Sequence, residues 1–317
     1  MPLRILFCGT PEFALPSLRA LAAAADISIE AVITQPDRPR GRGQAVASSP
    51  VKEFALGAGL HVFQPEKIRS ESAQNFISSV APDAVVIIAY GQIIPARLIE
   101  IPRLGWINVH ASLLPKYRGA APIQWALIGG ETRTGVTTMR IDAGLDTGPT
   151  LESAELEIGA DETAPELSKR LAELGAPLIV STLRKLERAE IAPQPQDASQ
   201  ATLARPLKKE DGRIDWSLRA TEIYNRIRGV EPWPGAFSAF RGQTAQIRGR
   251  PAVRGADIVS NPMPPGTIEV RAPEFLVACG HDTWLRIERV RLEGRKAVSA
   301  RDFANGARLV PGDKFGA

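Results

Sequence analysis

Three polar side chains near the middle of the chain have the types and spacing to work on a carbonyl group. Asn108 and His110 lie two apart in Trp106-Ile107-Asn108-Val109-His110, a run preceded by Gly105 that predicts a short strand. Residues two apart on a strand project from the same face, so an amide and an imidazole point together. The hydrophobic pattern stops after His110. That places the pair at the carboxyl end of its strand, where open α/β sheets bind ligands. The third candidate is a carboxylate in Asp142-Ala143-Gly144-Leu145-Asp146-Thr147-Gly148-Pro149, a loop with glycine on both sides of Asp146. Amide, imidazole and carboxylate together suit addition to a carbonyl: two hold a developing oxyanion and one handles protons. An Asn-x-His triplet is also common as plain structure, its imidazole bonded to backbone. The loop that follows favours chemistry. Ser112-Leu113-Leu114-Pro115 and Tyr117-Arg118-Gly119-Ala120-Ala121-Pro122 carry more turn-forming residues than a strand exit requires.

The elements that must position these groups read as an alternating α/β pattern. Leu3 to Cys8 suits a buried parallel strand, and Thr10 and Pro11 suit the cap and first residue of the helix through Leu15, Leu18 and Leu21. The G-x-G-x-x-G fingerprint is missing, so no dinucleotide is indicated. A second strand is expected over Ile29 to Thr34, a helix over Val51 to Leu60, and a short strand at His61-Val62-Phe63. Ala84 to Ala89 is the most apolar strand and should be central. Its end, Tyr90-Gly91-Gln92, offers backbone groups that could read a flat heterocycle, or Tyr90 could simply pack. Gly135 to Ile141 predicts a strand leading into the Asp146 loop, and Ala164 to Leu186 a helix that Pro177 should kink or break.

Between these elements lies Gln35-Pro36-Asp37-Arg38-Pro39-Arg40-Gly41-Arg42-Gly43-Gln44. Nothing apolar anchors it, so it is expected to be a mobile surface loop on the same rim as His110. Its three arginines can fork onto phosphates, or can simply be solvated. Ala192 to Pro206, rich in Pro, Gln, Ser and Thr, reads as a linker. Beyond it the rhythm changes to short strands separated by turns: Ala236–Phe240, Ala245–Arg248, Gly266–Val270, Phe275–Ala278 and Thr283–Val290. Five such strands suit an oligonucleotide-binding type of barrel. The expected division is therefore 1–191, a linker 192–206, and 207–317.

Bulk composition narrows the partners. The 317 residues are 44% hydrophobic and 23% charged, ordinary for a globular chain with a sizeable core. Residues 207–317 carry 19 Lys/Arg against 13 Asp/Glu, a net of +6, whereas the preceding part has a net of −2. That imbalance fits a polyanionic partner for the C-terminal part, or mere solubility. Cys8 and Cys279 give neither a disulfide framework nor zinc spacing. No metal is expected. No apolar run reaches membrane-spanning length, and the chain enters a strand at once, so a cytoplasmic protein without a membrane partner is expected. There is no P-loop, G-x-S-x-G, H-E-x-x-H or paired C-x-x-C.

Taken together, NVHASLLPKYRGAAPIQWALIGGE, TGVTTMRIDAGLDTGP, FCGTPEFA, TQPDRPRGRG, RIDW and EPWPGAF resemble the folate-dependent formyltransferase family over essentially the whole chain. The N-V-H, S-L-L-P and D-x-G-x-D-T-G set is shared across that family. TQPDRPRGRG, RIDW and EPWPGAF narrow the likeness to the branch that acts on methionyl-tRNA. The resemblance implies a Rossmann-like formyltransferase N-terminal domain with a central, largely parallel sheet, and a C-terminal OB-fold-like β-barrel. It implies 10-formyltetrahydrofolate as donor, held near Ser112, Leu113, Leu114 and Pro115, with the pterin against Ile88, Ala89, Tyr90 and Gly91. The implied acceptor is the α-amino group of initiator methionyl-tRNA. Asn108 and His110 would hold the oxyanion, and Asp146, chosen over Asp142 by the likeness alone, would orient His110 and relay the amine proton. Arg38, Arg40 and Arg42 would enter the acceptor end of the tRNA, with binding that weakens steeply in salt. A monomer is expected. Competing readings are a formyltransferase for an amino-sugar nucleotide, a formyltetrahydrofolate hydrolase, and a non-catalytic folate-sensing nucleic-acid binder.

Overall fold

In a computed structural model, which describes residues 1–40, 45–252, 263–271, 274–310 and 312–316, the apolar runs become strands in the order the pattern requires. The first part runs β1 (Leu3–Gly9), α1 (Leu15–Ala23), β2 (Ile27–Ile33), β3 (Arg38–Arg40), β4 (Ala45–Ala47), α2 (Pro50–Gly57) and β5 (Val62–Phe63). Next come α3 (Glu71–Val80), β6 (Ala84–Ile88), α4 (Ala96–Ile99), β7 (Trp106–His110), α5 (Pro122–Ile128), β8 (Arg133–Arg140), β9 (Thr150–Glu157) and α6 (Ala164–Glu187). The rest contains α7 (Ala220–Gly229), β10 (Phe237–Phe240), β11 (Gln243–Pro251), β12 (Ile268–Arg271), β13 (Glu274–Cys279), β14 (Thr283–Leu292), β15 (Val298–Ser299) and α8 (Ala300–Ala307). The chain divides into two units, residues 1–122, 133–157 and 167–205, and residues 123–132, 158–166 and 206–317.

The first unit is built on a sheet of order β5-β2-β1-β6-β7-β8-β9. β6, apolar and buried at every position, is its middle strand, as expected. β5 through β7 pair in parallel, but β8 returns antiparallel to β7, and β9 antiparallel to β8. The Rossmann-like sheet is therefore mixed, and mostly parallel. Cys8, Ile87 and Asn108 stand in one row across β1, β6 and β7. His110 lies one residue pair further on, beyond the last β6 partner of β7, and opposite Thr137 of β8. On the other sheet face, α6 crosses β7 where Gly175 comes down on Val109; a Cβ at 175 would sit 3.0 Å from a Val109 methyl.

Two local expectations give way to tertiary packing. Pro177 lies inside α6, yet the helix continues to Glu187, with Ile179 and Leu183 fully buried beyond the proline. Burial along the apolar stripe outweighs one lost backbone bond. Thr10 does not cap α1, which instead begins after a 3-10 turn at Glu12–Ala14. In the arginine segment, Arg38–Arg40 and Ala45–Ala47 form a small antiparallel ladder, and residues 41–44 between them lie outside the described residues.

The stretch read as a linker is bonded to the first unit along much of its length. Thr150 and Gln194 exchange backbone hydrogen bonds at 2.8 Å each. Arg118 N donates to Thr202 O at 2.8 Å, Ala204 N to Arg118 O at 2.7 Å, and Ala121 N to Ala204 O at 3.1 Å. Composition saw only Pro, Gln and Ser. The pairing partners lie far away in sequence.

The strands of the second unit pair antiparallel in the order β10-β11-β14-β13-β12, with β15 added on β14. Its two outer strands meet the same C-terminal segment: Phe240 bridges to Phe315, and Thr267, just before β12, bridges to Lys314. The sheet thus curls shut like a barrel. Trp216, Phe240, Phe275, Phe303 and Phe315 fill it, with Phe240 and Phe303 edge-on at 5.1 Å. No helix among the described residues is long and apolar enough to cross a membrane.

A close approach ties the sheet to the loop after β7. A Cβ on Gly135 of β8 would collide with the Ala154 carbonyl oxygen and with the Leu113 side chain. Gly135→Ala should therefore cost about 1–3 kcal/mol as overpacking and also displace Leu113. A lower urea midpoint would confirm this. An unchanged midpoint would show that the contact relaxes freely.

Candidate active site

Beyond His110 the chain leaves the sheet and folds back onto β8. Thr137 Oγ1 donates to Ser112 O at 2.8 Å and accepts from Leu114 N at 3.1 Å, so one buried hydroxyl fixes the start of Ser112–Pro115. Ser112, fully buried, donates from Oγ to Lys116 O at 2.6 Å and closes the loop on itself. Tyr117 then adopts a left-handed conformation, φ 60°, which turns its carbonyl toward the imidazole. His110 Nε2 lies 2.9 Å from Tyr117 O. A carbonyl only accepts, so Nε2 carries a proton.

The other ring nitrogen faces Asp146. His110 Nδ1 is 3.6 Å from Asp146 Oδ2, and the imidazole is 6% exposed against 18% for the carboxylate side chain. That separation is too long for a hydrogen bond but short for a charge contact. The same Oδ2 accepts Gly119 N–H at 2.8 Å. Gly119 can do this because it sits at φ 120° with its missing Cβ directed at Ala204 O, 2.7 Å away. Asp146 is itself left-handed at φ 51°. Asp142 is engaged elsewhere: its Oδ1 accepts Gly144 N at 3.0 Å and Thr147 Oγ1 at 2.7 Å. Both acids looked alike in sequence. Only one reaches the histidine.

Asn108 is half-buried, and its side-chain amide makes no hydrogen bond among the described residues. A half-buried amide left unpaired beside a histidine–carboxylate pair is suited to an incoming oxygen. At the end of β6, Ala89 (φ 48°) and Gly91 (φ 87°) are exposed, while Ile88 and the Tyr90 ring are buried. Burial, with the Cys8 thiol next to it, pushes the Tyr90 hydroxyl above its ordinary range. Of the segment 88–91, it is therefore the backbone of 89 and 91 that stays accessible.

Several positioning groups were missed by sequence reasoning. Gln35 Nε2 donates to Tyr90 O at 3.0 Å, and Gln92 Nε2 to Gln35 Oε1 at 3.1 Å. Gln64 Nε2 donates to Gln35 O at 2.9 Å and to Asp37 Oδ1 at 3.0 Å. Asp37 also pairs with Lys52, and these two bonds, the lysine first, hold its carboxyl below the usual range. The repeated Gln-Pro at 35–36 and 64–65 was the available signal. Arg38 is exposed, with a weak contact to Glu66 at 3.9 Å. Arg40 lies in β3, and Arg42 falls outside the described residues.

Residues 3–183 match the formyl transferase family model and residues 206–308 its C-terminal domain. A methionyl-tRNA formyltransferase of Solibacter usitatus is 54% identical over 99% of both chains. Another from Koribacter versatilis is 51% identical over 98% of both. The chain belongs to the methionyl-tRNA formyltransferase family. Solved structures with the same fold are more distant. A sugar 3N-formyltransferase, WlaRD, superposes with TM-score 0.65 at 18% identity, covering 93% of this chain and 100% of that one. HypX from Aquifex aeolicus, solved with tetrahydrofolic acid, gives TM-score 0.60 at 16% identity, over 98% of this chain and 48% of that one.

For this formyltransferase the two acids of the loop can be separated by experiment. Asp146→Asn keeps an oxygen for Gly119 N–H but removes the charge beside the ring, and should lower turnover by about a hundredfold or more. Asp142→Asn keeps its loop contacts and should stay near the unaltered rate. Equal losses in a steady-state assay would mean that the charge at 146 has no special part.

Proposed function

We propose that this protein transfers the formyl group of 10-formyltetrahydrofolate to the α-amino group of methionine on initiator methionyl-tRNA. The observation that carries the mechanism is the His110 ring faced by Asp146, with Asn108, which makes no side-chain hydrogen bond among the described residues, two positions earlier on the same strand. The donor's formyl carbon would lie over the carboxyl end of β7. Its ring system would rest against the backbone of 88–91 and the Ser112, Leu113, Leu114 and Pro115 turn. The neutral amine attacks the formyl carbon and produces a tetrahedral oxyanion. Asn108 donates to that oxygen. His110 offers Nε2–H, which already points at a weaker acceptor, the Tyr117 carbonyl, and a full negative charge competes for it well. Asp146 orients the ring and takes the amine proton through a water. Collapse of the intermediate breaks the bond to the folate nitrogen, which receives the proton.

Domain roles follow the family matches at 3–183 and 206–308. Residues 1–191 would bind folate and perform transfer, 207–317 would bind tRNA, and 192–206 would join them. Arg38, Arg40 and Arg42 would approach the acceptor end of the tRNA. The enzyme would work as a cytoplasmic monomer. The relatives from Solibacter usitatus and Koribacter versatilis, alike along the full chain, carry the methionyl-tRNA name, whereas the sugar formyltransferase WlaRD matches at 18% identity.

The test is formyl transfer from 10-formyltetrahydrofolate to Met-charged initiator tRNA, read as N-formylmethionine. Asn108→Ala and His110→Ala should each lower turnover about a hundred- to a thousandfold, the usual cost of removing an oxyanion donor, with folate binding retained. Near-normal single-turnover transfer by both variants would refute the assignment.

A further inference from the structure

One polar group in the first unit is fully bonded to the Asp146 loop and has no part in the chemistry described so far. Gln196 lies in the stretch whose composition reads as linker. Its Nε2 donates to Asp146 O at 2.9 Å and to Gly148 O at 2.7 Å. Its Oε1 accepts from Arg118 Nε at 3.1 Å and Nη2 at 2.8 Å. The amide therefore uses both donors and both acceptor directions. Only one orientation fits, because a guanidinium can only donate and the two carbonyls can only accept. Arg118 is 8% exposed and comes from the same short segment as Tyr117 and Gly119.

The same strap also holds that segment. Tyr117 N donates to Thr202 Oγ1 at 2.8 Å, and Arg118 and Ala204 exchange backbone bonds with the strap as described above. Tyr117 carries the carbonyl that His110 meets, and Gly119 carries the N–H that Asp146 meets. Residues 196–204 thus bond to both loops whose ends meet at the histidine–carboxylate pair. Asp146 is left-handed, a conformation disfavoured for a residue with a Cβ, and it persists only where surroundings fix it. A bond to its own carbonyl is the most direct way to fix it.

We infer that Gln196, oriented by Arg118, is a positioning residue that sets the Asp146 carboxylate against His110, so that the strap assembles the catalytic pair. This rests on the assignment of Asp146 to catalysis made above. Gln196 touches no substrate; it acts through the backbone of 146 and 148.

Three variants test it in transfer to Met-charged initiator tRNA, alongside thermal melting. Gln196→Ala removes both donors and should lower kcat about 10- to 100-fold, as small misplacement of a reacting group does, with KM for folate and tRNA unchanged. Gln196→Glu keeps the size and the Arg118 contact but turns an acceptor toward two carbonyls. It should melt near the unaltered protein and still lose at least as much kcat. Combined with Asp146→Asn, Gln196→Ala should cause little further loss, because its effect passes through that carboxylate. Full kcat in Gln196→Glu would overturn the inference, and so would an equal fold-loss in both backgrounds, which marks a general structural role. If Asp146→Asn alone turned over normally, the catalytic assignment would fall first and this inference with it.

Discussion

The carboxylate of Asp146 is placed by backbone groups, and the arrangement of the site depends on that. A glycine N–H holds one oxygen, and the carbonyl of a left-handed tyrosine holds the far side of the histidine ring. Both come from residues 117–119, a span too short to move one without moving the other. The dyad is therefore set by a loop pinned in several places, with little side-chain entropy left to lose when substrate arrives. Preorganised dipoles of this kind matter most where charge develops in the transition state.

The sheet explains why the loop lies where it does. β6 ends at Ile88, so β7 runs past it, and His110 emerges with only β8 beside it. The antiparallel return of β8 delivers Thr137 to clamp the turn after β7, and then feeds straight into the Asp142–Asp146 loop. The connection between those two strands contains α5, yet β8 runs antiparallel to β7. Here the reversal brings histidine and carboxylate loops to one rim.

Much of this was legible in the chain. Alternation identified Asn108 and His110 as sharing a face, apolar content identified Ala84 to Ala89 as the central strand, of which Ala84–Ile88 forms β6, and turn chemistry marked Ser112–Pro122 as unusual. What failed was long-range. Asp142 and Asp146 sit in similar glycine contexts, and only the three-dimensional positions of Gly144, Thr147 and Gly119 separate them. Gln196 and Thr202 looked like linker because their partners are more than 40 residues away. Pro177 looked like a helix breaker because local propensity cannot see the buried stripe formed by Leu171, Ile179 and Leu183. The arginines at 38 and 40 read as an unstructured loop because a three-residue ladder leaves no hydrophobic period to find.

The central claim is a protonation pattern as much as a distance. With only three histidines in the chain, His61, His110 and His281, ring-nitrogen NMR on 15N-labelled protein can be assigned by substituting the other two. The expected result is a proton on His110 Nε2 in the substrate-free protein, with Nδ1 facing the Asp146 carboxylate. A ring protonated on Nδ1 alone, with Nε2 bare, would contradict it.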